Sequence, residues 1–168
     1  WENLNFPVRD WVADKNENQW RRGLYTWWQR SFLHPSLLAF DAPSREECAA
    51  DRPRSNIPQQ ALVLLNDPTY VEAARAFAGR AMAQPSEARL NWAFQQALQR
   101  VPTATERATL QKLYTDQLGA YKADTTAAEG LVKSGIAPVP ANVDTVEFAA
   151  WTHVCRVLLN LHETITRP

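Results

Sequence analysis

At 168 residues and 19.0 kDa, the chain has the length of one domain, or of one domain with an arm, and can bury a core of its own. Eighteen Lys and Arg balance eighteen Asp and Glu, which excludes the positive excess that a general nucleic-acid binder or a polybasic membrane-surface module requires. The 45% of apolar residues excludes a disordered tail, and the longest aliphatic run, Ala61 to Leu65, is far too short to span a bilayer.

Five of the seven Trp (Trp1, Trp11, Trp20, Trp27, Trp28) fall within the first 28 residues. The chain opens on Trp1 without Met or a signal-like stretch, and so reads as a piece of a longer protein. Residues 1–56 read as an irregular arm rich in Trp and Arg. Within it, residues 23–32 (GLYTWWQRSF) carry β-favouring aromatics and are expected to form one short strand or hairpin. His34-Pro35 and Ala42-Pro43 punctuate the rest of the arm, since a residue before Pro is pushed out of the helical region. Ser44 to Ala50 is expected to be a short helix, capped by Ser44 with Glu47 at the capping-box position.

From residue 57 to residue 168 the pattern is helical. Asn56-Ile57-Pro58-Gln59 opens a helix to about Leu65, and Asn66-Asp67-Pro68 closes it and caps the next. Val71, Ala74, Ala78, Ala81 and Met82 form the apolar stripe of that second helix. A third starts at Ser86 and carries Leu90, Ala93, Phe94, Ala97, Leu98 and Val101 at helical spacing. Thr103 with Glu106 predicts a capping box for a fourth, which buries Leu110, Leu113, Tyr114 and Tyr121. Asp124 caps a short fifth that stops near Gly135. Asp144 opens a last helix to about Thr164, apolar on most faces and therefore expected at the centre. The predicted fold is mainly α: an irregular or orthogonal bundle of about five to six helices with an aromatic N-terminal arm.

Chemistry-bearing residues are sparse. Three His (His34, His153, His162) and two Cys (Cys48, Cys155) are the whole soft-ligand inventory, and they stand in no metal, redox or haem-attachment spacing. No metal or cofactor site is expected within this segment. Cys48 and Cys155 are either one long-range disulfide or two buried thiols. Neither a Gly-x-Ser-x-Gly elbow nor a glycine-rich phosphate loop occurs. Six Arg and no Lys lie between Arg21 and Arg54: Arg21, Arg22, Arg30, Arg45, Arg52 and Arg54. Interleaved with Asp41, Glu46, Glu47 and Asp51, they suggest a partly buried ionic network, because the guanidinium fork suits bidentate carboxylate bonds. An anion or acidic-sugar site is the alternative.

Several stretches resemble one family. They are Arg21-Arg22-Gly23-Leu24-Tyr25-Thr26, then Phe40-Asp41-Ala42-Pro43-Ser44-Arg45-Glu46-x-Cys48, then Arg52-x-Arg54-x-Asn56-x-Pro58-x-Gln60, continuing to Asn66-Asp67-Pro68. Ala93-Phe94 to Glu106 and Ala150-Trp151 to Arg167 fit the same pattern. Together they resemble the C-terminal half of the planctomycete-specific domain of unknown function found at the C-terminus of proteins with a cytochrome c-like domain. The resemblance implies an exported parent protein whose haem sits in another domain, with the missing N-terminal part of that protein as a partner. It carries over Arg22, Tyr25, Asp41, Arg45, Cys48, Arg54, Asn56, Gln60, Asn66 and Asp67 as signature positions.

Two functions compete on these residues. The first is a non-catalytic scaffold or interaction module. The second is a polysaccharide-binding or polysaccharide-degrading module, using Arg22, Tyr25, Trp27, Trp28, Asp41, Arg45, Arg52, Arg54, Asn56 and Gln60.

Overall fold

A computed structural model describes residues 12–28, 33–44, 46–51 and 53–166. These residues hold eight α-helices, two 3-10 turns and no strand. The chain divides into two compact units, 1–63 and 64–168. The division falls inside a helix, seven residues beyond the compositional change at Asn56.

In the first unit, 3-10 turns run over Glu17–Trp20 and Gly23–Tyr25. The expected strand is therefore absent from residues 23–28, and residues 29–32 lie outside the described residues. Trp28 supplies one reason: its indole Nε1 donates to the Gly23 carbonyl at 2.9 Å, folding the segment back on itself. Helix α1 (Pro35–Ala39) starts where the sequence shows only a Pro break. His34 is its N-cap, Nδ1 accepting from the Ser36 N–H, and Pro35 occupies the first helical position, where a missing N–H costs nothing. Among the described residues from Ser44 to Ala50 none is helical: Ser44 Oγ accepts from the Glu46 N–H, and the backbone from Glu46 onward only bends. Helix α2 (Pro58–Asn66) carries the chain into the second unit.

The second unit is the helical bundle. It comprises α3 (Pro68–Met82), α4 (Arg89–Leu98), α5 (Ala104–Ala123), α6 (Thr125–Val132), α7 (Thr145–Leu159) and α8 (His162–Ile165). The expected caps are in place. Asp67, Asp124 and Asp144 accept from the N–H groups of Thr69, Ala127 and Glu147, and Thr103 and Glu106 close a reciprocal capping box. Helix α4 begins three residues later than Ser86 predicts, and the last helix breaks at Asn160 and Leu161 to restart as α8.

Helix α7 is central and packs on α3, α4, α5, α6 and α8. Phe148, Val154, Cys155 and Leu158 have 0% exposure, and burial of each large apolar side chain is worth about 1.5–3 kcal/mol. Helix α3 meets it with Ala74, Ala78 and Ala81, whose small side chains at helical spacing allow close approach. A polar residue also enters this core: Thr152 stays buried by donating to the Phe148 carbonyl at 2.8 Å. Val101, read as part of the helical spacing of α4, instead lies exposed beyond that helix's C-terminus.

At the bundle's edge Arg100 gathers two carboxylates. It bonds Glu106 through Nη1 at 3.0 Å and Nη2 at 2.7 Å, and Glu163 through Nε at 2.7 Å and Nη2 at 2.8 Å. Its guanidinium also lies 4.8 Å from the Phe94 ring centroid.

Candidate functional site

In the first unit, the residues singled out from sequence fall into two groups. One is the aromatic stretch. Trp20, Leu24, Tyr25 and Trp27 are exposed, while Trp28 is half-buried and held by its bond to Gly23. Short 3-10 turns cannot present a single apolar stripe to a core, so successive large side chains splay outward. Arg21 and Arg22 beside them are exposed, and Arg21 Nε bonds the Asn18 side-chain oxygen at 2.9 Å. Arg54 and Asn56 are exposed as well. The partly buried ionic network expected of these arginines does not hold Arg21, Arg22 or Arg54. Arg30, Arg45 and Arg52 lie outside the described residues.

The other group is a polar knot. Asp41 sits at φ 55°, a left-handed backbone that a non-glycine residue adopts at some cost. Its carboxylate accepts the Ser55 N–H at 2.7 Å and the Ser55 hydroxyl at 2.8 Å. Gln60, buried at the start of α2, donates from Nε2 to the Ser55 carbonyl at 3.1 Å. Asp41 and Gln60 are therefore brought together, through a serine that sequence reasoning passed over. Ser55 is flanked by the signature residues Arg54 and Asn56, and that position was the available signal. The arrangement links residues 41, 55 and 60 by hydrogen bonds, and it engages both carboxylate oxygens.

Both cysteines are free thiols, so the candidate disulfide is not formed. Cys48 is exposed; Cys155 is fully buried in α7, where burial pushes its thiol pKa well up and leaves it acting as a small hydrophobe. Among the described residues no cluster of three or more His, Cys, Asp or Glu is placed to hold a metal ion. Likewise, no described helix is long and apolar enough to cross a membrane.

The second unit contains charged groups that the sequence did not announce. Glu72 and Arg75, each 2% exposed, stand one turn apart on α3. Glu72 accepts the N–H groups of Ile136 at 2.7 Å and Ala137 at 3.0 Å, while Arg75 donates to the carbonyls of Val132 at 2.7 Å and Ala137 at 2.5 Å. Together they satisfy the backbone that leaves α6, and so serve as internal brackets for the connector. Arg89 bonds Glu147 at 2.7 Å, and the Tyr114 ring lies tilted by 40° against Trp151 with centroids 5.1 Å apart. Burial raises the Tyr114 phenol pKa, with the Glu147 charge adding to it.

No curated protein and no solved structure matches the chain. A family model matches residues 3–114, about two thirds of the chain, and stops within α5. The stretch from Ala150 to Arg167, which contributed to the resemblance, lies beyond that match. The chain belongs to this family, PSD1, described as a protein of unknown function (DUF1553).

Proposed function

We propose that the chain is a non-catalytic docking module and that residues 17–28 are its contact face. One observation carries this reading: Trp20, Leu24, Tyr25 and Trp27, within eight residues, are 53%, 67%, 61% and 39% exposed. Aromatic side chains bring a large contact area at low conformational cost, and Arg21 and Arg22 beside them supply a charged rim. The partner is another domain of the same parent protein. From the resemblance, that parent is an exported planctomycete protein in which this module lies C-terminal to a cytochrome c-like domain, which holds the haem.

Polysaccharide binding is the second reading, since Tyr25 and Trp27 also offer faces on which sugar rings stack. Asp41, Arg45, Arg52, Arg54, Asn56 and Gln60 would be its polar partners. The hydrogen bonds of Asp41 and Gln60 to Ser55 favour a structural role for those two residues.

The test is retention of the separately expressed N-terminal part of the parent on the immobilised chain, run beside a glycan array. Docking predicts that Trp27→Ala and Trp20→Ala weaken retention at least tenfold, as truncated aromatic anchors do. Unchanged retention by both variants would reject the docking face. Glycan binding by the wild type that is lost in Trp27→Ala would instead establish the second reading.

A further inference from the structure

The central helix carries a polar stripe that the surrounding packing leaves incomplete. His153, Arg156 and Asn160 succeed one another at spacings of three and four residues, so they lie on one face of α7 and its C-cap. His153 Nδ1, Arg156 Nε and Asn160 Oδ1 are each sealed from solvent and have no hydrogen-bond partner among the described residues. Buried polar atoms are ordinarily satisfied, so three orphans on one stripe call for a shared explanation. Arg156 is anchored at its other edge: Nη2 donates to the carbonyl of Leu65, near the end of α2. Its guanidinium also bears electrostatically on the half-buried phenol of Tyr121 in α5.

The chemistry of the three atoms selects the occupant. Arg156 Nε–H can only donate, and Asn160 Oδ1 can only accept. Burial, and next the Arg156 charge, lower the His153 pKa, which keeps its imidazole neutral and lets Nδ1 donate or accept according to tautomer. An inorganic anion would satisfy the arginine but would face the asparagine oxygen with like charge. Water accepts and donates at once, and a buried water is stable where two to four polar groups converge.

We propose that this seam holds ordered internal water, accepting from Arg156 Nε and donating to Asn160 Oδ1 or His153 Nδ1. The arginine's two edges then do different work: Nη2 fixes the end of α2, and Nε fixes the water.

The full chain, labelled with nitrogen-15 at arginine, tests this by water-to-protein NOE and ROE transfer at the Arg156 Nε–H. The expected result is a bound-water cross-peak with a residence time of nanoseconds or longer. Asn160→Leu, checked by circular dichroism for retained helix, should lose that cross-peak. Absence of the cross-peak in the wild type overturns the proposal, and so would a rise in thermal midpoint of Asn160→Leu without any water signal, which marks a dry seam. A wild-type midpoint that climbs with chloride or formate at constant ionic strength, again without the water signal, would assign the seam to an anion and also overturn it.

Discussion

Gly135 stands directly against Glu72. It adopts φ +85°, and a Cβ built on it would lie 2.0 Å from Glu72 Oε2. The contact exists because the Glu72 carboxylate has to reach the N–H groups of the next two residues, Ile136 and Ala137. A side chain at position 135 would occupy the space that the carboxylate fills. Gly135→Ala is therefore expected to destabilise the second unit by about 2–4 kcal/mol, adding backbone strain to steric displacement. Glu72→Ala, which leaves two N–H groups without their acceptor, should cost a similar ~2–4 kcal/mol. Urea denaturation followed by circular dichroism measures both. A loss below half a kcal/mol in either variant would show that the connector does not depend on this bracket.

Arg100 makes stability depend on acidity. Its hydrogen bonds are the main cause that lowers the Glu106 carboxyl pKa to about 2, with the Thr103 N–H and hydroxyl helping, and they lower that of Glu163 as well. A carboxylate whose pKa is lowered by folding stabilises the fold above its ordinary range, near 4.5, and loses that contribution as the pH falls towards about 2. The side chains are partly exposed, so added salt should weaken the effect. In a carbon-13 titration of the side-chain carboxyls, Arg100→Met should move the Glu106 and Glu163 midpoints upward towards the ordinary range. Unmoved midpoints would show that the capping box alone sets the Glu106 acidity and that Arg100 is a bystander.

Local signals were legible in the sequence, and long-range ones were not. Asp67, Thr103, Asp124 and Asp144 could be read as caps because each bonds a backbone N–H two or three residues on. The centrality of α7 was equally plain, since an apolar helix has to be surrounded. Glu72 and Arg75 gave no such sign, because a charged pair on an amphipathic helix looks like a solvated face and their partners lie some sixty residues away. In the first unit, the concentration of aromatics was legible but its geometry was not. Gly23 to Trp28 has strand-favouring composition, yet with no strand to pair with among the described residues, the Trp28 indole closes on Gly23 and 3-10 geometry results. Ser55 went unnoticed because nothing within a few residues of it announces Asp41, fourteen positions back.

Two glycines on the bundle's outer helices lack the reason that Gly135 has. Beyond their chain neighbours and their own helix backbone, Gly119 in α5 and Gly130 in α6 have no heavy atom within 4 Å of an added Cβ, and neither takes a positive φ. Glycine inside a helix sacrifices about 0.5–1 kcal/mol relative to alanine, chiefly through the freedom of the unfolded chain. Gly119→Ala and Gly130→Ala should each stabilise the second unit by about 0.5–1 kcal/mol. Differential scanning calorimetry reads the gain as a higher midpoint. A fall in either variant would mean that the chain packs closely against that glycine, contrary to the open space around both positions.

The family match and the folding unit end in different places, and that difference can be tested. The match stops at Tyr114, within α5, whereas the core of the second unit is closed by residues further along the chain. Phe148, Val154 and Leu158, all on α7, have 0% exposure, and α3, α4 and α5 lay their apolar faces against that helix. Without α7 those faces would meet water, and helices of ten to twenty residues are marginal by themselves. A protein ending at Tyr114 should accordingly lack a cooperative thermal transition and expose apolar surface to a hydrophobic dye. Residues 64–166 alone should melt cooperatively. Within that fragment, Phe148→Ala should lower stability by about 3–5 kcal/mol, the cost of emptying a filled aromatic site. A cooperative transition in the 1–114 protein would locate its core in the matched region and displace α7 from the centre of the fold.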